Sequence, residues 1–586
     1  MGGARQTALF ALAAFAATVA TFAPSAWYEF VRIDDHEYVT ENRHIARGLT
    51  WDAAKWALSD VGYASNWHPL TWMCHALDVS VARALGVIGD APHDRGAAWV
   101  ANGSGLAKVS HVHNVLLHGL NAALLFLVIG GMARGVSINC HQSSIILIAT
   151  LLWAVHPLRC EAVCWVSERK ELLSVFWMLA ALAMLVRGSS EAKPSIVCHL
   201  MSIIFAALAL MAKPVAVSLP ALVFAYEWMM RGQSFRRAAL RSLPFAALSA
   251  VVCVLTLFAQ TEGLESGQQY GWLMRLECAL EAPAVYLRQT LMPTGLSPVY
   301  LRSRATDWAR LIAGCTVMAA MVWMVARWLR RRERWCGAVA FGVVWAYASL
   351  VPMLGIVKVG GMAHSDRYTY WPGCGIAFAV AAGLTILADR SRFEMVRYGR
   401  WAGGASVALV AVLGMTRSAC WRDTVTLYRD TVAKSHDAEI AFELADELMR
   451  AGGDVRTSRE RKREAEVMLR ETVSANPDPK AYAALAHFLA FHSSGEKVMT
   501  DPGAGAFSEA RALAGRALAA EPGCWIAHAA LTACDARDGR WHDAVAHGEV
   551  AIRSGACGAG FAELVEECRG KARRTAPVSV ENRGAK

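Results

Sequence analysis

The chain has 586 residues, 55% of them hydrophobic and 18% charged, whereas a soluble protein of this size carries about a quarter charged residues. Its net charge of +10 invites a nucleic-acid reading, but the Arg residues cluster between apolar runs. Clusters of that kind set membrane orientation, and no nucleic-acid partner is expected.

In chain order, Thr7 to Ala26 carries no charge and is long enough to cross a bilayer as a helix. Ala23-Pro24-Ser25 could be read as a cleavage site. An uncleaved span is the expectation, because the acidic residues that follow, Asp34, Asp35 and Glu37, need an anchor to stay near the lipid. Further apolar stretches lie at 109–129, 143–156, 171–186, 195–212, 214–230, 242–259, 308–326, 336–355, 372–388 and 401–416. Trp272 to Met292 has similar hydropathy but carries Arg275, Glu277, Glu281 and Arg288. Four ionisable groups at mid-bilayer are costly, so an interfacial or re-entrant helix is expected there. The basic clusters at Arg231–Arg241, Arg327–Arg334 and Arg390–Arg400 then share one side, which is the cytoplasmic one. The expected topology is about eleven spans with the N-terminus inside. It sends the loop 27–108, the loop 157–170, Lys213, 260–307, 356–371 and the C-terminal part to one non-cytoplasmic face.

From about Trp421 the pattern changes to amphipathic helices. Ala481-Tyr482-Ala483-Ala484-Leu485-Ala486 follows an Asn476-Pro477 break, and Trp525-Ile526-Ala527-His528-Ala529-Ala530-Leu531 follows Glu521-Pro522. Small residues at helix contacts and a Gly-containing turn at Asp538-Gly539 resemble tetratricopeptide repeats, with an insertion around 493–506. Such arrays stack helix pairs into a concave surface that docks a peptide or protein partner. A packing domain covering the membrane mouth is the plainer alternative. Residues from Lys571 onward are polar and expected to be disordered.

Fifteen Cys are scattered, many in apolar runs and without a CxxC pair. Most are small core residues, and Cys160 and Cys164, one helical turn apart, make a poor disulfide. His111, His113 and His118 share a helical region, yet no carboxylate sits at metal spacing beside them, so hydrogen-bonded structural roles are expected. His68, in the long outer loop, is the better candidate for substrate contact. No metal and no cofactor is expected.

Four constellations converge on the outer face: Asp34-Asp35 with Glu37; His156-Pro157-Leu158-Arg159-Cys160-Glu161 running into Ser167-Glu168-Arg169-Lys170-Glu171; Lys213-Pro214; and His364-Ser365-Asp366-Arg367-Tyr368. A lipid-linked phosphate donor needs cations at the membrane surface, and Arg suits this through bidentate hydrogen bonding. Transfer of its sugar needs a carboxylate that takes the proton from the acceptor hydroxyl.

These loops, together with Asn66-Trp67-His68-Pro69-Leu70-Thr71-Trp72, His113-Asn114-Val115-Leu116-Leu117-His118 and Met211-Ala212-Lys213-Pro214, are similar to bacterial relatives of the transmembrane and tetratricopeptide-repeat-containing O-mannosyltransferases. That group belongs to the C-type glycosyltransferase superfamily. The resemblance implies an all-α polytopic membrane helical bundle over 1–420, degenerate tetratricopeptide-like repeats over 421–570 and a disordered tail over 571–586. It further implies a polyprenyl-phosphate sugar donor, an extracytoplasmic site and an acceptor hydroxyl on protein or glycan. Asp35, supported by Asp34, matches the catalytic acidic position. Arg169, Lys170, Lys213 and Arg367 would hold the donor phosphate, and His68, His156, Glu161 and Glu168 would touch substrate. Two other readings stay open: a non-catalytic scaffold that recruits envelope proteins through the repeats, and a transferase of the same superfamily that modifies a glycan or lipid.

Overall fold

The structure is a computed structural model. It describes residues 2–89, 104–135, 143–189, 195–260, 271–300, 306–331, 333–354, 364–390, 393–451, 454–492, 504–554 and 559–575. Among these residues every regular element is helical. The chain divides into two compact units, Met1–Thr424 and Val425–Lys586.

The first unit is a polytopic membrane helical bundle. α1 is Gly2–Phe22, followed by the short α2 (Trp51–Ser59) and α3 (Pro69–Ala84). Next come α4 (Ser104–Gly135), α5 (Ser143–Ala154), α6 (Cys160–Cys164), α7 (Arg169–Ser189) and α8 (Ile196–Ala212). After these run α9 (Leu219–Ala225), α10 (Phe235–Ala259), α11 (Trp272–Leu291) and α12 (Trp308–Arg331). α13 (Arg334–Leu350), α14 (Tyr370–Arg390) and α15 (Phe393–Ser418) complete the unit.

Among the described residues, eight helices are single, long and apolar enough to cross a bilayer. They coincide with eight of the eleven expected stretches. The stretch at 143–156 is instead one arm of a pair bent by 55° at its break, and 196–212 and 214–230 are shorter apolar helices. Proline explains all three departures. Pro157 and Pro214 each open a new helical turn, where a missing N–H does no harm, and each forces the residue before it out of helical geometry. α11 stands outside the eight, since it carries four ionisable side chains. Burial orders the bundle: the apolar window of Ser104–Arg134 is 67% buried within the protein, but that of Trp308–Arg331 only 6%. An apolar helix left so bare is covered by lipid. α13 and α14 pack closest where Gly342 and Gly375 face each other, since a Cβ on Gly375 would come within 2.5 Å of the Ala346 nitrogen.

The second unit is an array of helices: α16 (Thr424–Ser435), α17 (Ala438–Arg450), α18 (Val455–Ala475), α19 (Pro479–His492), α20 (Ala504–Ala520), α21 (Trp525–Arg537), α22 (Trp541–Arg553) and α23 (Ala559–Thr575). From α17 on, each packs on the next, and α17, α19 and α21 also pack in a row. Small buried residues such as Ala483, Ala486, Ala527 and Ala530 allow that close approach. Asp437 and Asp454 cap α17 and α18 by accepting the Ile440 and Thr457 amides at 2.9 and 2.7 Å. α23 runs on to Thr575, so residues 571–575 are helical where disorder was expected. The rest of that tail, and most of the expected insertion at 493–506, lie outside the described residues.

Candidate active site

Three of the polar side chains singled out in the sequence stand immediately before proline. His68 precedes Pro69 at the start of α3, His156 precedes Pro157, and Lys213 precedes Pro214. A pre-proline residue is pushed towards extended backbone, and Lys213 is extended at φ −158°, ψ 140°. The His156 and Lys213 junctions therefore each follow the end of one helix and open another turn, and His68 opens α3.

Around these junctions, separate parts of the sequence build one polar cluster. Glu168 is buried at its centre. Its Oε1 lies 3.3 Å from Lys170 Nζ and 3.3 Å from Arg367 Nε, and its Oε2 lies 2.8 Å from Lys213 Nζ. Lys213 also pairs with Glu171 at 2.9 Å. Arg367 also pairs with Glu161, which accepts the Arg367 amide at 2.9 Å. Lys170 stands 4.4 Å over the Tyr38 ring and donates to the Tyr38 hydroxyl at 3.3 Å. That hydroxyl also accepts from Asn66 at 3.3 Å, and Asn66 in turn accepts from Gln260 at 3.1 Å. Thr71 fastens α3 to the Lys213 junction by donating to the Ala212 carbonyl at 3.0 Å. His68 is buried, with Nδ1 unpartnered among the described residues. Burial, with Lys170 and Lys213 beside it, holds its ring well below the ordinary histidine range, hence neutral.

The acidic pair divides its work. Asp35 has no exposed surface. Its Oδ1 accepts from the Ser167 amide at 2.8 Å and the Ser167 hydroxyl at 2.5 Å, and its Oδ2 accepts from the Val31 amide at 3.0 Å. Burial pushes its carboxyl up to about 7 in spite of those bonds. Trp165 Nε1 donates to the Ile33 carbonyl at 2.7 Å, so 165–167 clamps the acidic loop at two points. Asp34 is half-buried, in left-handed backbone at φ 59°, a region Asp tolerates better than most residues. It is near enough to Lys170 and Tyr38 for its charge to act on both.

Lys170, Lys213, Arg367, Glu161, Glu168 and His68 are thus brought together, but two expected members are not. Arg169 is fully buried and turned away: its guanidinium donates to Asn114 at 2.8 Å, to the Ser110 carbonyl at 2.7 Å and to Asp78. It has little capacity left for a phosphate. His156 has both ring nitrogens engaged, accepting the Leu158 amide at 3.2 Å and donating to the Thr290 carbonyl at 3.0 Å. It staples the bent pair to the end of α11. Tyr38, Asn66, Glu171 and the clamp residues Trp165 and Ser167 lie within or beside the sequence motifs, but sequence reasoning assigned none of them a role. Asp78 had a readable signal, as the only carboxylate in the apolar run of α3. Among the described residues no group of His, Cys, Asp and Glu has the arrangement to hold a metal ion. A groove of about 390 Å³ lined by Pro220, Phe224, Trp228, Ser242, Val325 and Val344 shares no residue with the cluster.

No family model and no curated protein matches the chain. Among solved structures it is similar to the archaeal oligosaccharyltransferase AglB from Archaeoglobus fulgidus in complex with an inhibitory peptide and a dolichol-phosphate. The identity is 11% and the TM-score 0.39, over 77% of this chain and 58% of that one. This chain thus corresponds to less than two thirds of that protein's length, and at that TM-score the likeness carries no functional argument.

Proposed function

We propose that this protein is an integral-membrane glycosyltransferase that moves a sugar from a polyprenyl-phosphate donor to an acceptor hydroxyl outside the cytoplasm. The observation that carries the reading is the polar cluster, in which Lys170, Lys213 and Arg367 converge from three separate parts of the chain on Glu168, with Lys170 near Asp34. Cations gathered beside a carboxylate, at the ends of apolar helices, suit a reaction between a lipid-linked phosphate and a hydroxyl.

In this reading Asp34 takes the proton from the acceptor hydroxyl. The freed oxygen attacks the anomeric carbon from the face opposite the phosphate, and the carbon–oxygen bond to phosphate breaks. The electron pair leaves with the phosphate, whose added charge is met by Lys170, Lys213 and Arg367. The configuration at the anomeric carbon inverts. Asp35 becomes a positioning residue, because a carboxylate with no accessible surface and three hydrogen bonds does not reach a substrate atom. Arg169 and His156 leave the substrate-binding set for the same kind of reason.

The acceptor is proposed to be protein, with the tetratricopeptide-like helices of the second unit presenting it; a glycan or lipid acceptor remains the alternative. The three basic clusters support a bacterial inner-membrane protein with a cytoplasmic N-terminus and periplasmic repeats.

The test incubates the purified full chain with a panel of radiolabelled polyprenyl-phosphate sugars and membrane extract. Wild-type protein should label an acceptor. Asp34→Asn should keep the wild-type melting temperature and lose about 100-fold or more of the rate, the usual reach of a positioned base. Undiminished transfer by Asp34→Asn overturns its role. If no sugar is transferred at all, and a phenotype depends only on the repeats, the scaffold reading replaces this one.

A further inference from the structure

We propose that Glu168 acts as a charge filter, occupying the place of the phosphate between turnovers and favouring the singly charged donor over the doubly charged lipid-phosphate product. This rests on the reading of the cluster as a lipid-phosphate site.

Among the described residues, Glu168 is the one carboxylate shared by all three cations, at 3.3 Å from Lys170, 2.8 Å from Lys213 and 3.3 Å from Arg367. The other two acids each pair with one cation of the three, Glu161 with Arg367 and Glu171 with Lys213. A carboxylate bridging three ammonium and guanidinium groups uses the same donors, at the same distances, that a phosphate would use. Without it, three like charges would face one another in a buried space, where their repulsion is screened far less than in water. Glu168 therefore keeps the cations charged and gathered while the site is empty.

The same negative charge weighs on whatever phosphate enters. Each cation already pairs with at least one carboxyl group, so an incoming anion adds negative charge to a site that is already paired. The donor is a phosphodiester with one negative charge. The product is a phosphomonoester whose second ionisation lies near 6, so it carries about −1.5 to −2 at pH 7. Cations alone would hold the product more tightly than the donor and leave the enzyme blocked. Glu168 penalises the second charge and so speeds release of the product.

The groups facing Glu168 are Lys170 and Glu171 in the first turn of α7, Lys213, Arg367, Glu161, His68 and Tyr38. Burial raises the carboxyl of Asp35 and bears on those of Glu161 and Glu171 as well. The diester keeps its single charge across pH 5.5–8 and so reports any change in these groups, and the ratio of monoester to diester binding isolates the ligand's own second ionisation.

Binding of two soluble probes to the detergent-purified full chain tests this without any sugar transfer. Farnesyl phosphate is the monoester and farnesyl methyl phosphate the singly charged diester; intrinsic tryptophan fluorescence reports on both through Trp165, which lies within 6 Å of Lys170 and Arg367. At pH 8, Glu168→Gln should bind the monoester about tenfold or more tightly than wild type and the diester within about threefold. At pH 5.5, where the monoester keeps one charge, that gain should disappear. Glu171→Gln should tighten the monoester less than Glu168→Gln does. Should the variants not fold, the wild type still decides: its preference for diester over monoester must shrink from pH 8 to pH 5.5. A pH-independent preference, or a Glu168→Gln variant that changes both probes alike, overturns the filter and leaves the lipid-phosphate site standing. If neither probe binds any of the proteins, the site itself falls, and the filter with it.

Discussion

Asp35 is the residue on which the acidic loop turns. It is buried without exposed surface and accepts from Ser167 and Val31, yet burial raises its carboxyl from an ordinary value near 3.8 to about 7. In the unfolded chain the group ionises first, so folded protein holds the proton over an interval in which unfolded protein does not. Stability from this group is complete below about 4 and is lost as pH rises through about 7. The thermal midpoint in detergent should therefore fall between pH 5 and pH 8, and Asp35→Asn should flatten that part of the profile. An unchanged slope in Asp35→Asn would show that another group sets it. At this scale the sequence was informative about which residues matter and less so about which atoms they touch. Asp34 and Asp35 stand side by side in the chain, and nothing in their order tells which is sealed in the interior. That is decided by Ser167, 132 residues away. Arg169 and Lys170 are likewise neighbours on one helix, pointing to different sides, so the cationic motif held one phosphate candidate and one structural ion pair.

That ion pair belongs to the scale of elements, because it ties α3, α4 and α7 together. Asp78 on α3 pairs with Arg169 on α7 and accepts from His113 on α4 at 2.7 Å, while Arg169 reaches Asn114 and Ser110 on α4. Burial works against the Asp78 charge, but the Arg169 guanidinium and the His113 hydrogen bond together outweigh it and hold the carboxyl well below its usual range. Removing one partner leaves the other charged and buried, at a cost of about 3–5 kcal/mol. Asp78→Asn should accordingly lower the melting temperature far more than Asp34→Asn does, while Asp78→Asn with Arg169→Leu should recover part of the loss. Equal melting temperatures for Asp78→Asn and wild type would mean the three helices are held by packing alone. The helices themselves were legible, since long uncharged runs have few other solutions in a membrane. The breaks at Pro157 and Pro214 were read as the ends of full spans at 143–156, 195–212 and 214–230, whereas the structure has one arm of a bent pair and two shorter helices there. Hydropathy marks an apolar run but not whether it crosses completely.

At the scale of the whole molecule, composition separated an apolar bundle from a polar helical array, and the structure divides the chain at Thr424, close to the change of pattern at Trp421. Which helix faces lipid follows from packing and was beyond a single sequence. Sidedness, by contrast, was argued from Arg positions, and every chemical step above depends on it. The acidic loop must lie on the same side as the end of α11, which His156 ties to the site through Thr290, and opposite the basic clusters. The direct measurement places single cysteines at Glu37→Cys, Thr294→Cys and Arg236→Cys, all at exposed positions, in a background whose accessible native cysteines are serine. A membrane-impermeant thiol reagent is then applied to intact cells. Positions 37 and 294 should be labelled at once, and position 236 only after the membrane is opened. If positions 37 and 294 fall on opposite sides, or either is protected until the cells are permeabilised, the loops do not share an outward-facing site and the proposed sugar transfer is contradicted.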